Sequence, residues 1–105
     1  MPREAFRDLL RENPVLAAPM CGISDWPYRA ICRQAGARLT FTQMVAAEAL
    51  WRGDRKTLEI LDLRAPEAPL GMQLFGAEPE AMAYGAQVLQ DLGAAVIDIN
   101  MGCPA

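Results

Sequence analysis

The sequence predicts an α/β fold, half of a (β/α)8 TIM barrel with about four parallel strands and intervening helices. Three observations lead there. Short apolar runs beginning near Val15, Leu39, Leu70 and Ala95 alternate with stretches of helical spacing, the pattern of a parallel sheet with crossover helices. Unusual residues gather where those runs end: Pro19-Met20-Cys21, Gln43, Gln73 and Asn100 to Cys103. That rim is where such sheets build chemistry. Periodicity alone suits a doubly wound sheet equally well. A dinucleotide-binding sheet, however, wants G-x-G-x-x-G after its first strand. Pro19-Met20-Cys21-Gly22-Ile23 does not supply it, which favours the barrel.

Arg3 to Arg11 reads as a lead-in helix with Phe6, Leu9 and Leu10 on one face, ended by Asn13-Pro14. Val15-Leu16-Ala17-Ala18 suits a first strand buried on both faces, broken by Pro19. Ser24 or Asp25 caps a helix with Pro27 in its first turn. Tyr28, Ile31, Cys32 and Ala35 form its apolar stripe, and Gly36 stops it. Arg29 reads as an exposed helix charge in preference to a phosphate contact. Leu39 to Thr42 is the second strand, with Gln43 at its C-terminal end. Met44, Ala47, Leu50 and Trp51 then follow as a core stripe of a helix, and Arg55 to Leu61 adds a short helical stretch. Leu70 to Phe75 is the third strand. Pro79 opens a helix whose buried stripe is Met82, Ala83, Ala86 and Leu89, closed by Leu92-Gly93. Ala95 to Ile99 is the fourth strand, and the loop from Asn100 leaves it.

Composition narrows the function classes. Half the 105 residues are apolar and 22% are charged, a globular balance and not a disordered one. No apolar run reaches the ~18 residues of a membrane helix, and no signal-peptide core follows the charged start. Three cysteines without a C-x-x-C pair, and no histidine, give no metal-ligand spacing. Free thiols without a secretory signal predict a reduced, cytoplasmic setting. A net charge of −3 argues against broad electrostatic nucleic-acid binding by these residues.

Four stretches carry a family likeness: Ala18-Pro19-Met20, Asp25-x-Pro27-Tyr28-Arg29, Gln73-Leu74-Phe75-Gly76 and Asp98-Ile99-Asn100-Met101-Gly102-Cys103-Pro104. In order and spacing they resemble the N-terminal part of the tRNA-dihydrouridine synthases, over about Leu16 to Ala105. The resemblance implies an FMN-dependent enzyme, recharged by NADPH, that reduces uridine in tRNA to 5,6-dihydrouridine. It implies that residues 1–105 form a partial FMN-binding barrel domain. The rest of the barrel, with further Lys, His and Arg contacts to the flavin, and an RNA-binding helical domain would lie outside it. A (β/α)8 barrel takes about 250 residues, and its phosphate site usually comes from later loops. Contact with tRNA would fall mainly to those other parts.

By the same resemblance Cys103 is the acid that protonates uracil C5 while hydride reaches C6. Thiols are mostly protonated at neutral pH and so can donate without much tuning. Gly102 lets the backbone approach a ligand, and Pro104 stiffens the loop. A lone cysteine more often only packs; the motif reverses that preference. Pro19, Met20 and Cys21 match a flavin-contacting segment acting through backbone groups, or form a plain strand-ending turn. Gln73 matches a flavin-contacting glutamine, whose amide both donates and accepts; neighbouring groups could satisfy it instead. Asn100 matches a residue that positions the target uracil, and is equally a common turn former. Asp98 is a structural carboxylate facing the barrel interior. No metal is expected.

The chain departs from the family at Gln43, where Glu is usual, which removes any carboxylate role there. Two other readings stay open. One is an FMN barrel oxidoreductase of the dihydroorotate dehydrogenase type, and the other is a half-barrel without activity.

Overall fold

Leu70–Phe75 is the central strand, β2, of a three-stranded parallel sheet in the computed structural model, which describes residues 1–103. It lies between β1 (Thr40–Ala46) and β3 (Val96–Ile99). Two helices, α1 (Arg3–Glu12) and α2 (Trp26–Gln34), precede β1. The link from β1 to β2 holds α3 (Ala47–Trp51) and a 3-10 helix (Arg55–Leu61), and α4 (Pro79–Asp91) joins β2 to β3.

Alternation along β2 separates two faces. Leu70, Met72 and Leu74 are buried in an outer cluster with Val45, Leu50, Leu61, Val88 and Leu89, where α3 and α4 cover the sheet. Gly85 allows α4 this close: a Cβ there would meet Leu74 Cδ1 at 3.0 Å. Gly71 and Gln73 face the other way. The Phe41 ring fills the space beside Gly71, where a Cβ would lie 2.3 Å from it. Phe41 packs with Leu9 and Leu39, with Phe6, Leu16 and Val96 around them, so α1 covers this inner face where β1 begins.

Register prepares the rim. Phe41 pairs with Gly71 and Met44 with Gln73, so β1 carries one extra residue around Thr42 and Gln43. The Gln73 N–H donates to Thr42 Oγ1 at 3.3 Å inside this bulge. The extra residue puts Met44, not Gln43, beside Gln73. Across the sheet Gln73 pairs with Asp98.

The alternating order, β2, β3, the extent of α4 and the 3-10 stretch follow the sequence reading, and several points do not. The described residues contain three strands, because Val15 to Ala18 joins no ladder and Val15 is 76% exposed. Two of those four residues are alanines with little surface to bury, so the run has weak reason to dock as an edge strand. The α2 stripe is accordingly only partly covered: Tyr28 and Cys32 are half-buried, and Ile31 is 64% exposed. Arg29 is fully buried instead of exposed, because an ion partner reaches it from the loop before β2. β1 runs on to Ala46, so Gln43 and Met44 belong to the strand. Trp51 lies edge-on against Tyr84, with ring centroids 5.6 Å apart, at the exposed margin of the core. In α4 the buried line runs through Ala81, Gly85, Val88 and Leu89, and Ala83 is exposed.

Candidate active site

β3 ends at Ile99, and the chain turns at once. The Asn100 N–H still donates to Leu74 O at 2.9 Å, which fixes the residue to the end of β2. Its side-chain oxygen accepts from the Gly102 N–H at 2.9 Å and the Cys103 N–H at 3.0 Å. This Asx-type closure folds the loop back and sets the direction of Cys103. The Asn100 amide nitrogen donates to Gln73 Oε1 at 3.4 Å and contacts Met44 Sδ at 3.5 Å.

Gln73 continues the network. It is buried, and its Nε2 donates to Asp98 Oδ2 at 2.6 Å. A polar side chain in a buried strand is tolerable only with such partners. Met44, Gln73, Asp98 and Asn100 therefore form one connected row across the three strands, and the row ends in the loop of Cys103. Asp98 serves here as a structural carboxylate.

The Pro19-Met20-Cys21 segment forms a separate turn. Met20 O accepts from the Ile23 and Ser24 N–H groups at 3.1 and 2.9 Å, and the Met20 N–H donates to Ser24 Oγ at 2.8 Å. Cys21 is exposed. Gln43 Oε1 accepts from the Gly22 N–H at 2.6 Å and ties this turn to β1. An acceptor is all this contact requires, so glutamine fills the position without a charge. Beneath the turn Arg29 donates to Ser24 O at 2.9 Å, to Asp62 O at 2.9 Å, and twice to Glu67, at 2.8 and 2.7 Å. Asp25 caps α2 by accepting from the Tyr28 N–H.

Gln73, Asn100 and Cys103 are thus brought together, and Pro19 to Cys21 are linked to them only through β1. Pro104 lies outside the described residues. Asn100 and Cys103 line a cleft of about 510 Å³ with Glu48, Phe75, Gly76, Ala77, Ile99 and Met101. Sequence reasoning missed Glu48. Its Oε1 accepts from the Ala77 N–H at 2.7 Å and the Glu78 N–H at 3.2 Å. These bonds, Ala77's first, hold its carboxyl below the ordinary range. One signal was available: Gly76 stands just after a strand with no turn that demands glycine.

The site suits a planar ring better than a phosphate. It offers a carboxylate, a thiol, apolar walls and an aromatic edge, while no Lys or Arg among the described residues lines the cleft. Among the described residues no group of three His, Cys, Asp or Glu side chains is placed to hold a metal ion. Among them, too, no helix is long and apolar enough to cross a membrane.

Comparison with known proteins bears on the same residues. A family profile described as dihydrouridine synthase (Dus) matches residues 15–105. The chain is 41% identical over 91 residues to the tRNA-dihydrouridine synthase B of Xanthomonas campestris, covering 87% of this chain and 27% of that protein. It is 42% identical over 94 residues to the Pseudomonas syringae protein of the same name, covering 89% and 28%. For the Escherichia coli protein the values are 39% over 94 residues, 89% and 29%. The chain spans less than a third of the length of these relatives. With the profile and the relatives covering most of its length, the chain belongs to the dihydrouridine synthase family.

Proposed function

We propose that residues 1–105 form the amino-terminal segment of the FMN-binding barrel of a tRNA-dihydrouridine synthase, working in the cytoplasm on uridine in tRNA. The observation that carries this reading is the Asn100-closed loop. It holds Cys103 at the end of β3, at the mouth of a cleft and one residue row from Gln73.

FMN, when bound and recharged by NADPH, supplies the hydride that adds at C6 of the uracil ring. Cys103 donates the thiol proton to C5, so the C5=C6 double bond is lost, and the thiolate regains a proton from water. Asn100 borders the ring as part of the cleft wall and positions the acid: its side chain fixes the Cys103 backbone, and a loop held this firmly keeps the thiol in reach. Asp98 and Asn100 hold the Gln73 amide in one orientation, in which it would border the flavin ring. Pro19, Met20 and Cys21 would border the same cofactor, Met20 through its side chain because its N–H and C=O are engaged within the turn that Ser24 and Gln43 keep in shape. Recognition of tRNA and of the FMN phosphate falls mainly to parts outside these residues, in keeping with the net charge of −3.

The test is a complete synthase carrying this segment, either with its own downstream sequence or with that of the Pseudomonas syringae relative. Given FMN, NADPH and unmodified tRNA, it forms dihydrouridine. An enzyme that reduces orotate-like small molecules and leaves tRNA unchanged would overturn the assignment in favour of the dihydroorotate dehydrogenase type.

A further inference from the structure

We propose that Glu48 contacts the target nucleotide directly: its second carboxylate oxygen accepts a hydrogen bond from a donor on that nucleotide, either uracil N3–H or the ribose 2′-OH. This role rests on the uridine reading of the cleft.

Glu48 is the second residue of α3, and Oε1 is committed to the protein. It takes the Ala77 and Glu78 N–H groups just ahead of α4, a helix whose own N-cap side chain makes no capping bond. The carboxylate is held in place by shape as well. A Cβ on Gly76 would lie 2.6 Å from Oε2 and 2.9 Å from both Oε1 and Met82 Sδ, so glycine is needed for the carboxylate to sit there. Oε2 takes neither the Ala77 nor the Glu78 N–H group. Glu48 is partly buried and lines the cleft of Asn100 and Cys103.

The rest of the lining leaves little else to bind polar groups. Asn100 spends its oxygen on Gly102 and Cys103 and its nitrogen on Gln73 and Met44. A guest therefore meets one anionic acceptor, one thiol and a wall of Phe75, Ile99 and Met101. Uracil donates only at N3, and its two carbonyls would be repelled by a carboxylate. The ribose adds hydroxyl donors. A single fixed acceptor in an otherwise apolar wall selects the pose that brings a donor to it, the usual way a pocket sets orientation.

The test uses the complete, flavin-loaded synthase and tRNAs whose target uridine is replaced by 2′-deoxyuridine or 3-methyluridine. Glu48→Gln keeps an acceptor for the Ala77 and Glu78 N–H groups and turns the second oxygen into an amino group. On unaltered tRNA, kcat/KM is expected to fall about 10- to 100-fold, the range of a hydrogen bond to a charged group. On one altered tRNA the same substitution costs about twofold or less, since donor and acceptor losses are not additive when the two are partners. The insensitive tRNA names the donor. An equal loss on all three tRNAs is the mark of a purely structural clamp and overturns the role, as does no loss on unaltered tRNA. A measurement on the unsubstituted enzyme covers a variant that fails to fold: kcat/KM must drop about tenfold or more on one altered tRNA, and unchanged values on both overturn the proposal. If the unsubstituted enzyme leaves tRNA uridine unreduced, the uridine reading itself falls, and this role with it.

Discussion

Replacing Arg29 by Met removes the most deeply buried charge in the described structure while keeping an unbranched side chain of similar reach. The Arg29 side chain is 1% exposed and that of Glu67 4%. The substitution strips Glu67 of both bonds from its partner and leaves Ser24 O and Asp62 O without their donor. Arg33 offers little relief, since its Nε stands 4.0 Å from Glu67 Oε1 and finds no hydrogen-bond partner. Breaking a buried pair from one side typically costs about 3–5 kcal/mol. A chain of this size has on the order of 5–15 kcal/mol in total, so the loss is a large fraction of it. Urea unfolding followed by circular dichroism measures the cost. Arg29→Met/Glu67→Gln removes the stranded carboxylate and should regain about 1 kcal/mol or more relative to additive losses. Recovery stays incomplete because the two carbonyls remain unpaired, at about 1–3 kcal/mol each. A single variant within about 1 kcal/mol of the parent, or strictly additive losses, would refute the assignment of Arg29 as the staple under the Met20 turn.

Three further outcomes follow from the same structure. Gly71→Ala drives a Cβ into the Phe41 ring and should destabilise by about 1–3 kcal/mol, with Phe41→Leu restoring part of it in the same urea assay. Glu48 and Asp62 both have carboxyls held below the ordinary range, Glu48 by the Ala77 and Glu78 N–H groups and Asp62 first by Arg64 and then by the Trp26 N–H. Their contribution to stability is full above the unfolded carboxylate range, near pH 4, and is lost as pH falls through the lower folded values, so Asp62→Asn should flatten the acid limb of a stability–pH curve. Asn100→Ala frees the backbone of Gly102 and Cys103 and should lower dihydrouridine formation about 100-fold with a stability change of only about 1 kcal/mol, separable by running both assays on one preparation.

How much of this was legible depended on whether the deciding partner was near in sequence. β2 and α4 were readable because Leu70 to Phe75 is short and apolar, Pro79 opens the helix and Gly93 closes it. The Cys103 loop was readable as a motif, and its mechanics were half-visible, since a turn-forming Asn closes over its own next residues. Arg29 was misread because a charge at a helical position looks solvated, and Glu67, which buries it, lies 38 residues away. β1 was cut short because Gln43 and Met44 break the apolar run. Polar and soft residues at that end of a strand follow from the site above them, not from the core. Glu48 went unread for a similar reason. Its partners, the backbone N–H groups of Ala77 and Glu78, have no signature of their own, and Gly76 beside them was the one hint. Val15 to Ala18 has strand-like composition, yet pairing needs a neighbour that its small side chains do not secure.

The most direct test of the central claim is Cys103→Ala in the complete, flavin-loaded synthase. The variant should keep its flavin and its NADPH oxidation while dihydrouridine formation in tRNA falls at least about 100-fold, the low end of the contribution of a general acid. Dihydrouridine formation at the parental rate would contradict the assignment of Cys103 as the proton donor, and with it the account of why the Asn100 loop is built as it is.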